Sequence, residues 1–236
     1  MSVPMTERSL GELAVAIPGA TALFRRHKLD FCCGGGASLA EAAASRALDP
    51  GQLQAELAAL PSGAPDLPET PDALVALIVS RYHDAHRRDL PELIKLARKV
   101  EAVHRGKPGT PAGVADVLTR MEAELLSHMA KEEMILFPVL AAGADGPGAA
   151  MAAGPIARMR AEHDECGEDL REIARLTAEL ALPEGACTTF RALYAGLARF
   201  EEELTTHIHI ENNILFPMFE SGAAPGFVCP GMGAGR

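Results

Sequence analysis

The sequence predicts an all-α protein, a small N-terminal helical unit followed by an antiparallel four-helix bundle. Three observations carry this. Ala and Leu dominate, with two Tyr, no Trp and few β-branched runs, so propensity favours helix. Four long apolar-periodic segments follow one another at about 71–104, 112–140, 154–181 and 186–219. Short Gly- and Pro-bearing breaks separate them, and short connections make antiparallel neighbours.

Taken in order, the first 60 residues predict short helices around SLGELAVA, TALFRRHK, SLAEAAASRA and PGQLQAELAAL. Ser9 and Ser38 suit N-caps, and Glu41 completes a capping box with Ser38. A unit this small buries little apolar surface, so it is expected to dock on the larger domain or on a second subunit. Residues 61–71, PSGAPDLPETP, hold four prolines and read as a linker. The bundle is then expected over 72–220, opening on Thr70 as N-cap with Pro71 in the first turn. Pro91 predicts a kink or restart just before it. GKPGTP, AAGADGPG and ALPEG mark the breaks between helices, and residues 221–236 read as a loose tail.

The charge balance excludes some functions. Lys and Arg number 22 against 32 Asp and Glu, a net charge of −10, which argues against nucleic acid and anionic membrane as partners. No charged stretch precedes an apolar core at the N-terminus, and no apolar run reaches membrane length. Five cysteines, two of them adjacent, do not suggest a secreted disulfide framework. A soluble protein of the reducing cytoplasm is expected.

The chain repeats itself. HMAKEEMILFP from His128 is matched by HIHIENNILFP from His207, 79 residues later. HDAHRRDL from His83 is matched by HDECGEDL from His163, 80 residues later. Two motifs in the same order at nearly the same offset indicate a duplicated helical hairpin. Positions four apart share a helix face, so His128 with Glu132, and His207 with Glu211, each present an imidazole beside a carboxylate. His83 and His163 lie on the first helix of each hairpin, and all six can converge inside the bundle. Four imidazoles and two carboxylates exceed the needs of one tetrahedral zinc and suit two metals with bridging carboxylates. Mixed N/O ligation with open positions favours iron over magnesium or calcium, with manganese a further candidate.

A lone His, or a lone His-x-x-x-Glu, is most often a surface or core feature; six matching positions in a duplicated frame are much rarer. The repeat also discriminates. It selects His83 over His86, whose counterpart is Cys166, and Glu132 over Glu133, whose counterpart is Asn212. His209, two residues past His207, should point the other way. Glu124 and Glu203, each four residues before a ligand histidine, and Glu162 beside His163 are either partners that orient imidazoles or solvated charges. Ile135, Leu136 and Phe137, with Ile214, Leu215 and Phe216, are expected to close the site and keep it dry.

LDFCCGGG sets Cys32 and Cys33 before three glycines and the helix expected from Ser38. A thiol near a helix N-terminus has a lowered pKa and suits redox, nucleophilic or metal-binding roles. Two small buried residues in a tight turn fit the pattern equally well. Cys166, Cys187 and Cys229 lack such a setting, and His27 reads as exposed.

From LGELAVAIPGATALFRRHKLDFCCGGG through RYHDAHR, SHMAKEEMILFP and GPIARMRAEHDE to HIHIENNILFP, the chain resembles the iron–sulfur cluster repair di-iron proteins of the ScdA/YtfE type. The resemblance covers roughly residues 7–219 and implies a hemerythrin-like layout for the four-helix bundle. It implies a non-haem centre of two iron ions with oxo and carboxylate bridges on His83, His128, Glu132, His163, His207 and Glu211. It further implies that the N-terminal domain carries a functional Cys pair, matched by Cys32 and Cys33, with a homodimer and with nitric oxide and proteins with damaged iron–sulfur clusters as partners. Ferrous iron on imidazole and carboxylate is exchangeable and thiolates bind it strongly, so iron transfer from the bundle towards Cys32 and Cys33 is expected. Oxygen-carrying hemerythrins use a fifth histidine, which speaks against reversible oxygen carriage here. A nitric oxide or nitrite reductase, an oxygen or nitric oxide sensor, and a zinc-loaded structural bundle are the competing readings.

Overall fold

The computed structural model describes residues 3–61, 67–141 and 147–220, so part of the expected linker, the AAGADGPG break and the tail with Cys229 lie outside the described residues. All regular elements among them are helical. After a 3₁₀ turn at Met5–Glu7 come α1 (Leu10–Ala16), α2 (Ala20–Arg26), α3 (Leu39–Ser45) and α4 (Pro50–Ala58). Ser9 and Ser38 cap α1 and α3 through two full capping boxes, with Glu12 and Glu41 returning the bond. The caps lie side by side: Leu10 N–H donates to the Ala37 carbonyl and Leu39 N–H to that of Arg8.

Four long rods follow. The first is α5 (Pro71–Leu77), a π-helical turn (Ile78–His83) and α6 (Asp84–Val103). The second is α7 (Val114–Lys131), a π turn (Glu132–Leu136) and α8 (Phe137–Ala141). The third is α9 (Pro147–Leu176); the fourth is α10 (Thr188–Ile210), a π turn (Glu211–Leu215) and a 3₁₀ turn (Phe216–Met218). Thr70 caps α5 as expected. Helix α9 begins earlier than its periodicity suggested and stops at Leu176, because Ala178, Glu179 and Leu180 turn left-handed.

Pro91 does not break the first rod. Helix α6 continues through it without a restart, and the departure from α geometry comes upstream, in the π turn ending at His83. A proline inside a helix costs about 3 kcal/mol, and the buried stripe of Leu90, Leu93, Ile94, Ala97 and Val100 on both sides of it holds the helix together.

The other two π turns explain the repeated Phe-Pro. Pro138 and Pro217 have no N–H to give and would press on the carbonyl four residues back. In both repeats the chain widens just upstream: Phe137 N–H reaches Glu132 O, and Phe216 N–H reaches Glu211 O, five residues back. Each widened turn starts on a carboxylate of the six.

One apolar cluster joins the N-terminal helices to the bundle, from Leu13, Leu23, Phe24 and Phe31 to Leu93, Leu118, Leu197 and Phe200. A second, around Leu74, Ile78, Leu136, Phe137, Ile156, Leu215 and Phe216, closes the opposite end. The N-terminal helices therefore dock on the bundle of their own chain. Arg25 pairs with Glu202 at 2.6 Å, Asn213 Nδ2 donates to Phe31 O at 3.2 Å, and the Phe31 ring meets His209 edge-on at 5.5 Å. Phe31→Ala is expected to cost about 3–5 kcal/mol by opening a cavity at this seam, read as a lower urea midpoint.

Candidate metal centre

The six expected side chains come together between the two apolar clusters, none more than 2% exposed. They form two sets, His83 with His207 and His128 with His163, and both sets share Glu132 and Glu211. Within each pair the Nε2 atoms stand 3.2 Å apart. Two imidazole nitrogens held about 2.1 Å from one ion lie about 3.0–3.4 Å apart, so the spacing is that of co-ligands. Glu132 reaches His83 Nε2 at 3.3 Å and His128 Nε2 at 3.2 Å; Glu211 reaches His163 and His207 Nε2 at 3.1 Å each. Despite these approaches, none of the four carboxylate oxygens makes a hydrogen bond. Buried carboxylates without hydrogen bonds are costly, and cations seated between the imidazole pairs would compensate them.

Residues 76–219 match the hemerythrin HHE cation binding domain, and residues 6–61 match ScdA_N, a domain of unknown function. The chain is 49% identical over 215 residues to the iron-sulfur cluster repair protein YtfE of Dickeya chrysanthemi, covering 89% of this chain and 96% of that one. It is 50% identical to those of Pectobacterium atrosepticum and Yersinia pseudotuberculosis, over 89% of this chain and 96% and 95% of theirs. The chain belongs to the YtfE family. Its buried His/Glu cluster could hold metal ions, and it lies within the stretch that matches the cation binding domain.

In this member of the family, three of the four imidazoles are held from behind. His83 Nδ1 donates to Glu133 at 2.7 Å, and Arg87 grips the same oxygen at 2.6 Å. His128 Nδ1 donates to Glu162 at 2.9 Å, whose other oxygen takes Lys131 and Arg158, each at 2.6 Å. His163 Nδ1 lies 2.9 Å from Asn212 Oδ1; the Asn212 amide already donates to Cys32 O at 3.0 Å, so its oxygen accepts from the imidazole. Each bond fixes the proton on Nδ1 and turns the Nε2 lone pair inward. His207 Nδ1 has no partner, and Tyr82 stacks on its ring instead.

The ionisation pattern follows. Burial opposes a proton on His128, but Glu132 beside it and Glu162 behind it prevail and raise it to about 10. Burial likewise opposes a charge on Glu211, yet His207 and His163 hold its carboxyl well below the usual range. His207 itself is pushed down by burial.

Several expectations need correction. Glu124 and Glu203 do not orient the imidazoles: Glu124 faces Asp169 and Arg120, and Glu203 pairs with Arg81 at 3.2 Å. Three of the histidine rings point their Nδ1 atoms at neighbouring rods rather than back along their own helices. Glu162, the third candidate, orients His128 rather than the adjacent His163. Glu133 and Asn212 differ in residue type between the repeats, yet they hold equivalent positions and each takes the Nδ1 of the equivalent histidine. Ile135 is 56% exposed, carried outward by the π turn, whereas Leu136, Phe137, Leu215 and Phe216 are buried. Phe137 stacks on His83 and Phe216 on His163.

His86 is buried with its Nε2 unpartnered, 5.4 Å ring to ring from His207, and lies outside both sets. His209 points away, accepting from Asn213 at 3.0 Å. His27 is only 19% exposed and pairs with Glu56 at 3.0 Å. Cys166 is buried, and Cys187 is exposed.

The thiol loop packs directly against the backbone of His163. Cys33 Sγ donates to His163 O at 3.3 Å, and Cys32 Sγ lies 3.7 Å from Cys33 Sγ. The expected lowering of the thiol pKa does not hold for Cys32. Its bond to Cys33, burial and the Asp30 charge all raise it. Glycine is needed in the turn because a Cβ on Gly35 would sit 2.6 Å from Phe31 O. Replacing Glu133 or Glu162 with Ala is expected to weaken metal retention about 10- to 100-fold, whereas Glu124→Ala and Glu203→Ala leave it unchanged, as measured by competition with a chelator.

Proposed function

We propose that this chain repairs damaged iron–sulfur clusters in the cytoplasm, holding two non-haem iron ions at the His/Glu centre and passing iron outward past Cys32 and Cys33. The observation that carries this reading is the pair of buried carboxylates, each between two imidazoles and without a hydrogen bond. Support comes also from the relatives, which are named iron-sulfur cluster repair proteins. Neutral imidazole with carboxylate suits iron better than magnesium or calcium, with manganese and zinc as weaker fits. When bound, iron supplies an exchangeable, redox-active cation with positions open to a small ligand such as nitric oxide.

The protein's own residues do the rest. His83, His128, His163 and His207 offer Nε2, and Glu132 and Glu211 each serve both sets. Glu133, Glu162 and Asn212 hold three of the rings in register. Leu136, Phe137, Leu215 and Phe216 exclude water from one side. Cys33 touches the His163 backbone within a single chain, so the homodimer included in this reading is not needed to bring the thiol loop beside the centre.

The test is anaerobic. Ferrous-loaded protein is mixed with a nitric-oxide-damaged [4Fe–4S] hydratase, and recovered activity is followed against iron remaining in the protein. Recovery matched by iron loss, and abolished in Cys32→Ser/Cys33→Ser, is the expected result. Consumption of nitric oxide without recovery overturns it in favour of a reductase.

A further inference from the structure

We propose that Asp30, Cys32 and Cys33 form a second cation site at the rim of the bundle, suited to a borderline-soft divalent ion. A carboxylate oxygen of Asp30 and the two Sγ atoms all lie within 4.8 Å of one another. The separation of the sulfurs is informative. Two thiolates on one tetrahedral ion, each at about 2.3 Å, stand about 3.8 Å apart. Cys32 and Cys33 stand 3.7 Å apart, far beyond a disulfide bond.

The local chain prepares this set. Cys33 N–H donates to Asp30 Oδ1 at 3.0 Å, and Cys32 Sγ approaches the same oxygen at 3.5 Å, which fixes the carboxylate over the thiol pair. A Cβ on Gly34 would crowd Asp30 Cγ and Oδ2 at 3.3 Å, so glycine keeps that face clear. Two thiolates and a carboxylate carry three negative charges against two on the ion. Arg171, 3.7 Å from Asp30 Oδ2, offsets the excess.

The position gives the site its use. On its inner side Cys33 touches His163 O, and Asn212 ties Cys32 O to the His163 ring. On its outer side Asp30 is 40% exposed. Three protein donors leave a fourth tetrahedral position toward solvent for a thiolate of an incoming protein. Binding is ligand exchange alone: each thiol releases its proton to solvent as the sulfur–metal bond forms, and the ion keeps its oxidation state. The cation site stands on its own residues; its use as a relay for iron rests on the repair reading.

The test uses full-length protein with its bundle centre already loaded, titrated anaerobically with Co(II). The expected result is one further equivalent bound, with near-ultraviolet thiolate-to-cobalt absorption, lost in Cys32→Ser/Cys33→Ser. Asp30→Asn keeps the acceptor for Cys33 N–H but removes the charge. It should weaken cobalt binding at least as much as loss of an outer partner does, about tenfold, with unchanged circular dichroism. Absence of the thiolate absorption, or full-strength binding in Asp30→Asn, overturns the site. The hydratase assay separates the two readings. Cobalt binding without repair leaves the site standing and removes the relay, whereas repair without cobalt binding removes the site alone.

Discussion

Glu132 and Glu211 sit fully buried at the middle of the molecule, each between two imidazoles and neither hydrogen-bonded, and much of the structure answers to that pair of charges. In a low-dielectric interior a carboxylate must be matched by nearby positive charge. The helices therefore deliver four imidazole nitrogens to them, and a cation would complete the match. The apolar clusters above and below keep water from screening this arrangement. Both glutamates open π turns, so the backbone irregularity and the buried charge occupy the same residues.

The two hairpins have diverged around a common plan. Glu162, which holds His128, corresponds to Tyr82, which only stacks on His207. His86 corresponds to Cys166, which is buried and belongs to neither ligand set. The His128–His163 half is thus braced on both rings, and the His83–His207 half on one. The duplicated frame builds a symmetric inner site inside an asymmetric outer one.

What could be read from the sequence follows from this. The six inner positions were legible because both repeats need the same chemistry, and the serine caps because capping is local. The outer partners were not, since a residue gripping an imidazole from behind can be Glu in one repeat and Asn in the other. Pro91 misled because its cost is outweighed by packing on both sides, which local rules do not count. The π turns hid in the Phe-Pro pair, and missing them put Ile135 inside rather than outside. The raised pKa of Cys32 depends on its bond to Cys33, on burial under the bundle and on Asp30, none of which the adjacent glycines reveal.

Asn212 shows why the repeats could not stay identical. It faces an N–H of His163 on one side and the carbonyl of Cys32 on the other. Only a side chain with an acceptor and a donor at its two ends satisfies both. A glutamate such as the Glu133 of the other repeat would set oxygen against oxygen at Cys32 and push the thiol loop off the bundle. Once the N-terminal helices docked on one face, the symmetry of the hairpins had to be broken there, by exchanging a charge for an amide.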